Sequence, residues 1–189
     1  MRRRKKINKI WIIAGIAFVV LIGLVVFVRI RNLKKNMEND PVQTGEVYEK
    51  FDKSKAEDLL TRYFEGMAKK DMDVLSDVFY SKDVLTTFAK YNEISEQEVL
   101  DTIKKEVDEL TVNYKELSIK EYSAYKDSVV ASYNEHIEEY AGTKNCIEYM
   151  YLVAVTYMQN TTIGWEEKTQ DIRVYVTDGE YHVWPTTGE

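Results

Sequence analysis

The chain has 189 residues, 26 of them Lys or Arg and 32 Asp or Glu, for a net charge of −6; that is room for one domain of ordinary size and little more. Residues 1–35 carry ten basic and no acidic side chains, which leaves 16 basic against 32 acidic residues, a net charge of −16, for residues 36–189. So acidic a body is repelled by phosphate backbones, which excludes nucleic acid as a partner, and the single cysteine, Cys146, excludes an internal disulfide.

The basic tail of residues 1–9 runs into Ile10–Val28, 19 residues without a charge. At 1.5 Å per residue such a helix is roughly 28 Å long, close to the thickness of a hydrocarbon core, and Trp11 stands where an aromatic ring prefers the interface. The run closes Val25-Val26-Phe27-Val28-Arg29, with none of the small residues that mark a cleaved signal. A retained transmembrane helix is therefore predicted, with the bilayer as its partner. Six basic residues precede the run and four follow it, which sets the N-terminus in the cytoplasm and the rest outside, at the cell membrane in single-pass form. Residues 29–53, polar and interrupted by Pro41 and Gly45, read as a juxtamembrane linker.

Residues 54–189 read as the folded domain. Ser54 and Glu57 form a capping-box pattern ahead of Ala56, Leu59, Leu60, Tyr63, Phe64 and Met67, whose spacing makes one apolar stripe of a helix. Asp71 or Asp73 caps a second, short helix with Val74, Leu75, Val78 and Phe79 inward; Leu85 and Phe88 continue the packing past a break near Ser81. Ser95, with Glu98 three residues on, opens a third helix buried along Val99, Leu100, Ile103, Val107 and Leu110. Beyond Thr111 the period becomes two. Residues 112–125 form a strand, Ser128–Tyr140 reads as a second, and Ile147, Tyr149, Tyr151, Val153, Val155 and Tyr157 alternate as a third. Thr169–Val176 returns, and Thr177-Asp178-Gly179-Glu180 turns tightly into Tyr181-His182-Val183-Trp184, which Pro185 ends. Helices followed by strands predict an α+β domain, about three helices on one face of a curved antiparallel sheet of four to five strands.

The stretch Tyr63-Phe64-Glu65-Gly66-Met67-Ala68-Lys69-Lys70-Asp71-Met72-Asp73-Val74-Leu75, followed later by Asp178-Gly179-Glu180-Tyr181-His182-Val183-Trp184, resembles the NTF2-like superfamily over roughly residues 54–185. The resemblance implies a cone-shaped pocket, in a family where some members are isomerases or dehydratases and many others bind or scaffold. A short basic tail, one span and such an ectodomain also resemble the layout of VirB8-type components of conjugation and type IV secretion machines.

Chemistry is thinly represented. His136, in Asn134-Glu135-His136-Ile137-Glu138-Glu139, lacks the second histidine of a zinc helix, and on a strand Glu135 and His136 face opposite ways. There is no phosphate loop, nucleophile elbow or Cys-x-x-Cys, and the acidic pairs Glu138/Glu139 and Glu166/Glu167 are adjacent rather than facing. Asp71 suits a helix cap better than a general base. No catalytic residue, metal or cofactor is expected. The 14 tyrosines fit strand packing before they fit a binding surface, and Cys146, in a strand-like run, reads as a small buried residue. Ligand-binding candidates are Tyr149, Tyr151, His182 and Trp184, lining a cone. The reading is a membrane-anchored extracytoplasmic binding module with a protein partner or a homo-oligomer; the alternatives are a VirB8-like envelope component and a small isomerase- or dehydratase-like enzyme using His182.

Overall fold

The computed structural model describes residues 45–110 and 112–184; the basic tail, the run Ile10–Val28 and most of the linker lie outside them. The chain divides into two compact units, Met1–Asn39 and Asp40–Glu189, and the described residues belong to the second.

Helix α1 (Glu46–Glu49) is a single turn inside the stretch read as linker. It hands over to α2 (Lys53–Lys69), which starts where the Asp52 carboxylate accepts the N–H groups of Ser54 and Lys55 at 3.0 and 3.2 Å. The cap is Asp52, two residues before the expected Ser54, because a short carboxylate meets the orphan amides of the first turn directly. The expected stripe is inward: Ala56, Leu59, Leu60, Phe64 and Met67 are buried. Lys70, left-handed at φ 56, ends α2, and Asp71 caps α3 (Met72–Phe79) through the Val74 N–H. The α2–α3 corner is tight: a Cβ on Gly66 would lie 2.9 Å from the side chain of Leu75, itself fully buried. The break near Ser81 opens a separate helix, α4 (Lys82–Tyr91). For α5 (Glu96–Glu109) the capping box is complete, the Ser95 hydroxyl accepting the Glu98 N–H while the Glu98 carboxylate accepts the Ser95 N–H.

Four strands follow: β1 (Tyr114–Ala124), β2 (Tyr149–Thr161), β3 (Gly164–Thr177) and β4 (Glu180–Val183), antiparallel throughout and in the order β1-β2-β3-β4. Between β1 and β2 stands α6 (Asp127–Ala141). Register places Tyr151 opposite Val174 and Ala124, and Tyr175 opposite Met150 and His182, so these two sets lie on opposite faces of the sheet. Phe51 and Phe64 pack on the first face, against Tyr151 and Tyr157. Phe88 of α4 and Tyr133 of α6 pack on the second, against Trp184. The sheet is thus covered from both sides where Met150, Tyr151, Val153, Ala154, Val174, Tyr175 and Val176 are all buried. This is the core, and its run of consecutive apolar residues is what two covered faces require.

The expected fold class needs correcting. The α+β character and the antiparallel sheet of four strands are present, but six helices, not about three, occur among the described residues, and they cover two faces rather than one. Among the described residues no helix is long and apolar enough to cross a membrane: the longest, α2, has 17 residues and an outer face of Lys, Glu and Asp. The expected transmembrane segment, Ile10–Val28, lies outside the described residues. Ser128–Tyr140, expected as a strand, is helix α6. Val130 and Ile137, seven apart, share its buried face, and Gly142, left-handed at φ 85, returns its N–H to the carbonyls of Ile137 and Glu138 as a helix stop.

Candidate functional site

The structure separates the four candidate ligand-binding residues into two pairs. Tyr149 and Tyr151 belong to an aromatic pile that secures the chain just before α2. Phe51, buried, stacks on Tyr122 at 3.9 Å and meets Tyr151 edge-on at 4.9 Å, while Tyr48 stacks on Tyr122 at 4.5 Å. The Tyr151 hydroxyl donates to the Val47 carbonyl at 3.0 Å, and the Tyr181 hydroxyl accepts the Asp52 N–H at 2.8 Å. Lys50 sits over the Tyr149 ring. These rings are filled against protein, and burial pushes the Tyr151 phenol well up.

His182 and Trp184 lie on the other face. Tyr175, fully buried, stacks on His182 at 5.1 Å and meets Trp184 at 5.6 Å. Its hydroxyl donates to the Phe79 carbonyl at 3.1 Å and accepts the Ser81 N–H at 2.8 Å, tying the α3–α4 junction to β3. The Nδ1 of His182 is 3.0 Å from the Asp77 carbonyl; a carbonyl only accepts, so Nδ1 carries the hydrogen. Burial lowers the His182 pKa below its usual value, against the opposing pull of the Asp77 carbonyl and carboxylate. Arg62 bonds the same Asp77 carboxylate. His182 is thus a ring held by its neighbours, with the charges of Asp77, Glu180 and Arg62 around it.

His136 is exposed on α6, its ring stacked on Tyr91 at 6.5 Å. The argument that it and Glu135 face opposite ways fails with the strand, since on a helix neighbours stand about 100° apart. Cys146 is buried ahead of β2 rather than within a strand; burial raises its pKa, and its Sγ lies 3.6 Å from the Thr177 hydroxyl. Among the described residues no group of three or more His, Cys, Asp or Glu is placed to hold a metal ion.

A recess among the described residues lies elsewhere, between α2 and β1. It is an open groove of about 290 Å³ lined by Glu57, Leu60, Thr61, Leu117, Ser118 and Ile119. Leu60 forms a fully buried apolar floor, Leu117 and Ile119 are half-buried walls, and Ser118 is exposed at the rim. Glu57 at the other rim pairs only loosely with Lys53, 3.5 Å away. The pairing of β1 with β2 shifts register twice around this spot, between Lys115 and Ser118 and again between Ile119 and Glu121. Glu116 takes φ 58, a backbone conformation unfavourable for any residue with a Cβ. Bulges re-aim side chains and break the pairing of an edge strand, and here they bracket the residues that wall the groove. The sequence read Ser118-Ile119-Lys120 only as strand alternation; which edge of the sheet it would occupy, and that α2 would lean over it, is tertiary information.

Comparison of the chain with models of known protein families, with curated proteins and with solved structures gives no match.

Proposed function

We propose that the chain is a binding module held at the outer face of a cell membrane through the uncharged segment 10–28, and that it takes its ligand in the groove between α2 and β1. The carrying observation is that groove: an apolar floor with polar rims, walled by an edge strand whose two register shifts and left-handed Glu116 all fall beside it. Backbone irregularity of this kind concentrates where side chains are aimed at something. Tyr151, His182 and Trp184 pack against protein, which supports binding at the groove rather than in an NTF2-like cone; the five helices that precede an antiparallel sheet are the support for that kinship. Membrane attachment is supported by the 19 uncharged residues and their basic flanks. Carbonate washing of membranes carrying the full chain tests it: the chain is expected to stay in the pellet, and release into the wash overturns the tethered reading.

A further inference from the structure

Among the described residues the large apolar side chains left exposed are Ile94, Leu110, Ile163 and Trp165, and two of them share one turn. Ile163, 84 % exposed, stands at the tip joining β2 to β3, with Trp165, 44 % exposed, two residues on. The tip is built to hold its shape: the Thr161 hydroxyl donates to the Gly164 carbonyl at 2.9 Å, and Gly164 takes φ 123. Gln159 to Trp165 is uncharged, and Lys115 lies over the Trp165 ring at 4.5 Å. A rigid turn that presents isoleucine fully to water is a standing cost unless something covers it.

We propose that the tip of a second copy of this chain fills the groove between α2 and β1, with Ile163 seated between the half-buried Leu117 and Ile119, above the buried Leu60. The inference rests on the groove being the binding surface. Three observations carry it. Among the described residues the β2–β3 tip is a protruding apolar knob, and the groove between α2 and β1 is a recess of side-chain size walled by Leu117 and Ile119. The rims are complementary in charge, since the tip brings the Lys115 ammonium where the groove offers the Glu57 carboxylate; Lys115 lies over the Trp165 ring of the tip itself, and the ion pairs of the two groups, to Glu116 at 3.6 Å and to Lys53 at 3.5 Å, are exposed and of the kind exchanged at little cost. Finally, tip and groove lie near each other, the tip at the end of the β2–β3 pair and the groove on the edge strand β1 beside it. Tyr114 pairs with Gln159 near the tip, and Ser118 is four residues further along β1, so their separation is roughly 20 Å at strand spacing. A two-fold axis midway between them sets each tip on the other copy's groove, a closed and self-complementary contact. The two bulges of β1 break continuous edge pairing, so the contact is made by side chains rather than by a joined sheet.

The test uses the full chain in membranes. One copy carries Leu117→Cys and a second, differently tagged, carries Ile163→Cys; the native Cys146 is buried and serves as an internal control. Mild oxidation is expected to give a mixed disulfide in cells making both, and none in cells making either alone. In mild detergent the wild-type chain is expected at twice the 22.2 kDa of one copy, and Ile163→Asp, a change at an exposed turn that leaves the core untouched, at the single mass. A missing mixed disulfide, or disulfides between Ile163→Cys copies in equal yield, overturns the proposal. A single-copy mass for the wild-type chain overturns it too. If Ser118→Cys is then still shielded from thiol reagent, the groove stands as the site of another partner; if it reacts freely, the groove reading falls as well.

Discussion

At the level of single residues, the tyrosines decide how the sequence is to be understood. Tyr151 and Tyr175 stand on opposite faces of neighbouring strands, each fully buried with its hydroxyl bonded to a distant backbone carbonyl. Removing the Tyr175 hydroxyl orphans the Phe79 carbonyl and the Ser81 N–H in the interior, so Tyr175→Phe is expected to cost about 1–3 kcal/mol in denaturant unfolding. Tyr151→Phe frees only a half-buried carbonyl and is expected to cost about 1 kcal/mol; equal costs would show that the burial contrast is mistaken. His182 gives a pH signature. Burial holds its pKa below 6.5 in the folded chain, so the unfolded chain binds the proton first as the solution is acidified. Stability is expected to be indifferent to this group above 6.5, to fall as pH drops through that value, and to level off below the folded pKa. His182→Asn, whose amide can still donate to the Asp77 carbonyl, should flatten that segment when the two pH profiles are subtracted. That Tyr151 would be inward was legible in the alternation of β2. That Tyr175, out of phase with Ile172, Val174 and Val176, would be buried on the other face was not, because a period of two does not say whether one face or both will be covered.

Among the elements, the helices with local signals were read best. The Ser95–Glu98 box and the stripe of α2 are written within one or two turns of chain, and local chemistry suffices to form them. Helix α6 was misread because Val129, Ala131 and Tyr133 happen to alternate; the overriding signals were Val130 and Ile137, seven apart, and Gly142 in place to stop a helix. Ile137→Ala is accordingly expected to cost about 2–5 kcal/mol, as for a fully buried aliphatic side chain, whereas Ala131→Ser, exposed on the same helix, should change stability by well under 1 kcal/mol. The α2–α3 corner makes a sharper case. Gly66→Ala improves helix propensity by up to about 1 kcal/mol, but its Cβ meets the immobile Leu75 side chain at 2.9 Å, and overpacking costs about 1–3 kcal/mol. A lower melting temperature is expected; a higher one would show that Leu75 has room to move. The groove belongs to this scale as well. Its two halves, Glu57–Thr61 and Leu117–Ile119, lie some sixty residues apart, and no local pattern announces that they will meet.

Across the whole molecule, the proposal rests on an uncharged segment, residues 10–28, and on the groove between α2 and β1. The 16 basic against 32 acidic residues of positions 36–189 disfavour contact with other acidic surfaces. Location and occupancy can be read together by a membrane-impermeant thiol reagent applied to intact cells, because Cys146 is buried and silent. Ser132→Cys, exposed on α6, reports whether the domain faces outward, and Ser118→Cys, exposed at the rim of the groove, reports whether the groove is covered. Ser132→Cys is expected to react without permeabilisation and Ser118→Cys to react much more slowly, with Ile163→Asp added to Ser118→Cys restoring its rate. Equal reaction at both positions, or reaction at neither before permeabilisation, would contradict the proposal.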